Sequence, residues 1–159
     1  MGTDMTVPCG EGYLNIRVGA IIRKDGKLLM VGNDREDYYY SVGGRIQFGE
    51  SAEQAVVREV LEETGCRMEI DRLGFVHEEY FYADSPDKLG KTVYELSFYF
   101  YMKVPEDFRP VCGSVTVDND REYLRWVSPE EPRTIFPAFF RTELDKPAPG
   151  VRHIFTDER

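Results

Sequence analysis

Glu59, Glu62 and Glu63 put three carboxylates within about one turn of a helix. Residues three and four apart on a helix are neighbours. With Glu59 at zero, Glu63 falls near +40° and Glu62 near −60°, taking roughly 100° per residue. The acids share one sector, and Val57, Val60, Leu61 and Thr64 are expected on the opposite, buried side. Like charges this close repel, each i,i+4 pair costing about 0.2–0.5 kcal/mol. A bound divalent cation converts that repulsion into affinity. Ligands that are all oxygen point to a hard ion, Mg2+ or Mn2+.

These acids need a helix and a loop to hold them. Ser51 can cap the helix, with Gln54 three residues later as the return half of a capping box. Gly65 can end it in a left-handed cap. Gly44 to Gly49 reads as the preceding loop, and Tyr38 to Val42 as an aromatic strand leading into Gly43-Gly44. Tyr13 to Arg23 reads as a strand, Asp25-Gly26 as a hairpin turn and Lys27 to Val31 as the returning strand. Met68 to Tyr82 is a long strand with a bend at Gly74. Thr92 to Val104 alternates between two largely apolar faces, so it is expected to be central and covered on both sides. Pro105 to Asp120 reads as a loop and Glu122 to Val127 as a strand. A helix is expected to start at Ser128-Pro129-Glu130-Glu131, a second to run from Pro137 to Leu144, and Val151 to Phe155 to add an edge strand. Strands around one long mid-chain helix predict an α/β (α+β) fold with a mixed β-sheet and helices on its faces.

Length and composition agree. The 159 residues fit one domain, 1–159, with no repeat or linker. A net charge of −9 argues against nucleic acid, and against any polyanion not bridged by cations. No apolar run could cross a membrane, and the N-terminus lacks the basic start and apolar core of a secretory signal. Cys9, Cys66 and Cys112 are odd in number and widely spaced, which suits a reducing cytoplasm.

The stretch Gly44-x5-Glu50-x7-Arg58-Glu59-Val60-x-Glu62-Glu63-x-Gly65-Cys66 resembles the signature box of the Nudix (MutT-like) hydrolases, here residues 44–66. Cys66 stands where the family more often has Ile, Leu or Val, and Val42 where it often has proline. The resemblance implies the Nudix-type α/β/α sandwich. It also implies Mg2+-dependent cleavage of a nucleoside diphosphate linked to another group, as in a nucleoside triphosphate or a nucleotide sugar. Glu59, Glu62 and Glu63 would then bind metal, with the backbone carbonyl of Gly43 as a further ligand. Arg58 would position a box carboxylate, Gly44 would open the loop, and Glu50 would brace the loop or join a second metal. The general base of such enzymes is either a box glutamate or a distal acid; Asp120 and Glu122 lie where that acid often falls, and Glu122 is the first choice. Tyr82, sixteen residues past Cys66, falls near a tyrosine that some dinucleoside polyphosphate enzymes carry.

Further candidates for substrate contact are Arg45, Tyr40 and Glu95. Glu95 lies on a strand that reads as central, where a carboxylate needs a partner. The rival reading is a Nudix-like sensor that binds a nucleotide metabolite without cleaving it; the intact set of acids argues against it. Small domains of this kind often pair, so a homodimer is compatible with the sequence, which shows no interface.

Overall fold

The computed structural model describes residues 2–110 and 121–159. Its strands are β1 (Thr6–Cys9), β2 (Gly12–Ile21), β3 (Arg23–Lys24), β4 (Lys27–Asn33), β5 (Tyr38–Arg45), β6 (Glu69–Tyr82), β7 (Thr92–Lys103), β8 (Glu122–Val127), β9 (Thr134–Phe136) and β10 (Arg152–Asp157). The helices are α1 (Ala52–Thr64) and a single turn, α2 (Phe140–Glu143). The sheet runs β10-β6-β7-β2-β5-β4-β3, with β1 beside β2, β8 beside β4 and β9 beside β5. β2 pairs parallel with β7 and antiparallel with β5, so the sheet is mixed, as expected.

β7 lies inside the sheet because both its faces are greasy. Phe98, Phe100 and Met102 join Val18, Ala20, Val42 and the α1 residues Val56 and Val60 on one face. Tyr99 and Tyr101 join Ile21, Phe75 and the α2 residue Phe140 on the other. A core therefore forms on each side of the sheet. The register of β6 against β7 slips between Leu73 and Phe75, at the expected Gly74 bend. No helix among the described residues is long and apolar enough to cross a membrane.

Several expectations are corrected. Gly44 and Arg45 continue β5 rather than opening a loop, because β2 offers them backbone partners at Val18 and Arg17. Ser128 to Glu131 forms only a turn, closed by Glu131 N–H to the Ser128 carbonyl at 3.1 Å. Pro132 follows, and the residue before a proline is steered away from the helical region. The helix expected over Pro137–Leu144 is confined to Phe140–Glu143. Of the loop expected over Pro105–Asp120, residues 111–120, with Asp120 and Cys112, lie outside the described residues. The strands β1 and β9 were not anticipated.

His77 is 3% exposed on the α2 side of β6, its Nε2 2.5 Å from Thr156 Oγ1 on β10. Burial, with a smaller push from His153, lowers its pKa from 6.5 to about 4. The folded imidazole is thus neutral while the unfolded one takes a proton below pH 6.5. Its contribution is intact above that value and declines as pH falls toward 4. Urea unfolding of His77→Gln beside the parent, between pH 7 and 4, is expected to show a weaker loss of stability on acidification in the variant.

Candidate active site

Ser51 and Gln54 form the expected capping box, Gln54 N–H donating to Ser51 Oγ at 3.1 Å and Ser51 N–H to Gln54 Oε1 at 2.9 Å. Gly65 closes α1 in the left-handed conformation, its N–H bonded to the Leu61 carbonyl. The helix is rolled relative to the expected face. Its buried residues are Ala55, Val56, Val60 and Thr64, whereas Leu61 is exposed and Val57 half-buried. The buried arc is thereby shifted toward the acids. Glu59 and Glu63 fall within it and turn toward the end of β5, while the Glu62 side chain, 57% exposed, turns outward.

Glu63 accepts a hydrogen bond from Gly43 N–H at 2.7 Å. Its pKa is pushed up to about 8, first by burial, with Glu59 and Glu122 adding to the rise. Burial also raises Glu59, against the pull of Arg58. Glu122, at the start of β8, is therefore carried to the box acids by the pairing of β8 with β4. Tyr40 joins this edge: burial raises its hydroxyl to about 12, and Glu122 and Glu63 add to the rise.

Arg58 organises the opposite edge. Its Nε and one Nη grip Glu50 at 2.5 and 3.0 Å, the other Nη reaches Glu59 at 2.8 Å and Glu62 at 3.3 Å, and the Arg45 carbonyl accepts at 3.1 Å. Glu50 also accepts from Gln47 N–H at 3.0 Å, so it fastens the loop to the helix. Arg58, followed by Gln47, holds its carboxyl below the usual carboxylate range despite opposing burial.

Gly44 makes room for Glu59. A β-carbon there would lie 2.4 Å from Glu59 Oε1 and 2.5 Å from its carboxyl carbon. Gly44→Ala is expected to push Glu59 aside and lower any hydrolytic turnover about 10²-fold while the protein stays folded, as a displacement of about 1 Å at reacting groups does. Steady-state rates with circular dichroism of the variant check this.

The remaining candidates separate. Arg45 lies on β5 directly opposite Arg17 of β2; its Nη1 is 4.0 Å from Asp4 Oδ2, and its buried Nε has no hydrogen-bond partner among the described residues. Glu95 accepts from Asn15 Nδ2 at 3.2 Å and lies 3.9 Å from Arg17 Nε. Tyr82 ends β6, 55% exposed, and is not brought to the box. Arg17 and Asn15 were missed in the sequence. Burial works to lower the Arg17 pKa, but Glu95, then Tyr99, Glu63 and Glu59, raise it overall, so its charge sits between the box and β7. The only signal was an amide and a cation, Asn15 and Arg17, inside the otherwise apolar run of Leu14 to Ile22.

With a mixed sheet, a capped acid-bearing helix and glycines that admit its carboxylates, the chain has the architecture of a phosphoanhydride-processing domain. Residues 14–147 match the NUDIX domain family, and the chain belongs to it. A MutT-like protein of Streptomyces ambofaciens is 38% identical over 60 residues, which cover 38% of this chain and 39% of that relative's length. Among solved structures, the MutT protein of Methanosarcina mazei Go1 is 26% identical, with a TM-score of 0.55 over 84% of this chain and 91% of that one. An ADP-ribose pyrophosphatase from Streptococcus suis 89-1591 has the same fold, with a TM-score of 0.55 at 18% identity over 89% of this chain and 98% of that one.

Proposed function

We propose that the chain is a divalent-metal-dependent pyrophosphohydrolase that cleaves the diphosphate of a nucleotide-type substrate. The observation that carries this reading is the crowding of Glu59, Glu63 and Glu122 beside Gly43, with Arg58 already engaged by Glu50. Among the described residues no three acidic, histidine or cysteine side chains form a ready-made metal cage. The donor set nevertheless fits a hard cation: carboxylate oxygens, held in a half-buried place where they repel one another. Glu59 and Glu63, with Glu62 swinging in from the rim, would hold Mg2+ or Mn2+. A cation bound there supplies neutralisation of the diphosphate charge and acidifies a water.

The chain's own groups do the rest. Arg17 and Arg45, paired across β2 and β5, hold the diphosphate oxygens through their guanidinium donors. Glu122 takes the proton of the attacking water. Arg58 keeps Glu59 aimed and Glu50 keeps the loop in place. The acidic surface excludes nucleic acid and selects a small ligand that arrives with cations. The cysteine pattern is consistent with a cytoplasmic setting.

Incubation with a panel of nucleoside triphosphates, ADP-ribose and nucleotide sugars, with Mg2+, with Mn2+ and with a chelator, tests this. The expected result is metal-dependent release of a nucleoside monophosphate, with pyrophosphate or a phosphorylated second product. Tight binding of one of these compounds with no turnover under either metal would instead make the chain a sensor.

A further inference from the structure

On the sheet face opposite α1 lies a second set of acids that the chemistry above does not use. Glu79 of β6 and Glu95 of β7 are direct cross-strand partners, and Asn15 of β2 is the partner of Glu95 on its other side. All three side chains stand on one face, next to Arg17. Like charges directly opposite on a sheet are destabilising. Arg17, 3.9 Å from Glu95, balances one of them. Glu79 responds to the excess: burial and then Glu95 raise its pKa to about 7.

Asn15 supplies an independent sign of a ligand. It is 7% exposed; its amide nitrogen is spent on Glu95 at 3.2 Å, and its buried Oδ1 has no hydrogen-bond partner among the described residues. A buried acceptor left unpaired costs about 1–3 kcal/mol. Asn15 Oδ1, closed to solvent, and the two glutamates are all acceptors, which asks for a ligand with adjacent hydrogen-bond donors. Neighbouring hydroxyls meet that need, since two O–H groups can donate to one carboxylate. A nucleobase would also want an open ring to stack on. Two rings on this face are engaged: Tyr99 packs against Phe139 and Phe140, and Lys88 lies over Tyr13. Asn15 is two residues along β2 from Arg17, about 7 Å away. That is about the length of one pentose beyond the diphosphate.

We propose that Asn15, Glu79 and Glu95 bind the vicinal diol of a sugar joined directly to the diphosphate. The enzyme then prefers ribose-containing substrates to their 2′-deoxy counterparts. This rests on the hydrolase reading for the placement of the phosphates, but the diol site can be tested without turnover.

The experiment is calorimetric titration with ribose 5-phosphate and with 2-deoxyribose 5-phosphate in Mg2+ buffer, beside hydrolysis of matched ribo- and deoxyribonucleotides. One lost charge-assisted hydrogen bond predicts binding about 10- to 100-fold tighter for the ribose compound. Asn15→Ala should collapse that ratio toward one. Glu79→Ala, at a half-buried position that the fold depends on less, should do the same if the first variant fails to fold. Equal binding of the two sugars, no binding of either, or a ratio unchanged in the folded variants overturns the diol site. Discrimination between the sugar phosphates with no hydrolysis of any nucleotide upholds the site and removes the hydrolase reading. Hydrolysis blind to the 2′-hydroxyl does the reverse.

Discussion

Glu63→Gln is expected to lower metal-dependent kcat/KM by about 10²–10³-fold, the scale of losing a preorganised electrostatic group at a reacting centre. It should do so without unfolding the protein. The amide oxygen of glutamine can still accept from Gly43 N–H, which lies 2.7 Å from Glu63 Oε2 in the parent. The substitution also removes a carboxyl whose ionisation burial, Glu59 and Glu122 all oppose. The metal-free variant should therefore melt at or above the parent's temperature, while the rise in melting temperature that Mg2+ or Mn2+ gives the parent shrinks. Thermal melts with and without metal, run beside steady-state rates, separate the two effects. Undiminished turnover in the variant would remove Glu63 from the proposed chemistry.

The second large effect is on stability. Arg58→Ala removes a guanidinium shared by Glu50, Glu59, Glu62 and the Arg45 carbonyl. It leaves the carboxylates of Glu50 and Glu59, only 19% and 15% exposed, without their main counter-charge. Breaking a fully buried pair costs about 3–5 kcal/mol; the site is partly open to solvent, so about 2–4 kcal/mol is expected. In a chain of this size that is a fall in Tm of about 5–15 °C. Arg58→Lys should recover little, because one ammonium cannot make the forked contact with Glu50. The Glu50→Ala/Arg58→Ala double variant should lose less than the sum of the singles, since each acts through the other. Urea unfolding of the parent, the two alanine singles and the double variant measures this; strict additivity would mean that the fork contributes nothing as a unit.

Much of this was readable along the chain because its causes are local. The capping box depends on the types at Ser51 and Gln54 alone, and the Gly65 cap on the absence of a β-carbon. The Asp25-Gly26 turn needs positive φ at both residues and has it. β7 announced its central place by having two apolar faces, and β10 appeared at the edge of the sheet as its pattern implied. Where expectation failed, a distant partner decided. Gly44 and Arg45 became strand because β2 was there to pair with them. The roll of α1 was set by which side meets the sheet, not by the helix's own pattern, so Leu61 lost the buried place that Ala55 took.

The sequence by itself determined the family, the acid-bearing helix and its two ends, because spacing and capping act within a few residues. Only the tertiary structure decided which acids face inward. It alone brought Glu122 to Glu63, placed Arg17 between the box and β7, and set Glu79 against Glu95 with Asn15 alongside. Those groups lie far apart along the chain and meet only through strand pairing. Their charges acquire meaning from a burial that no stretch of sequence contains.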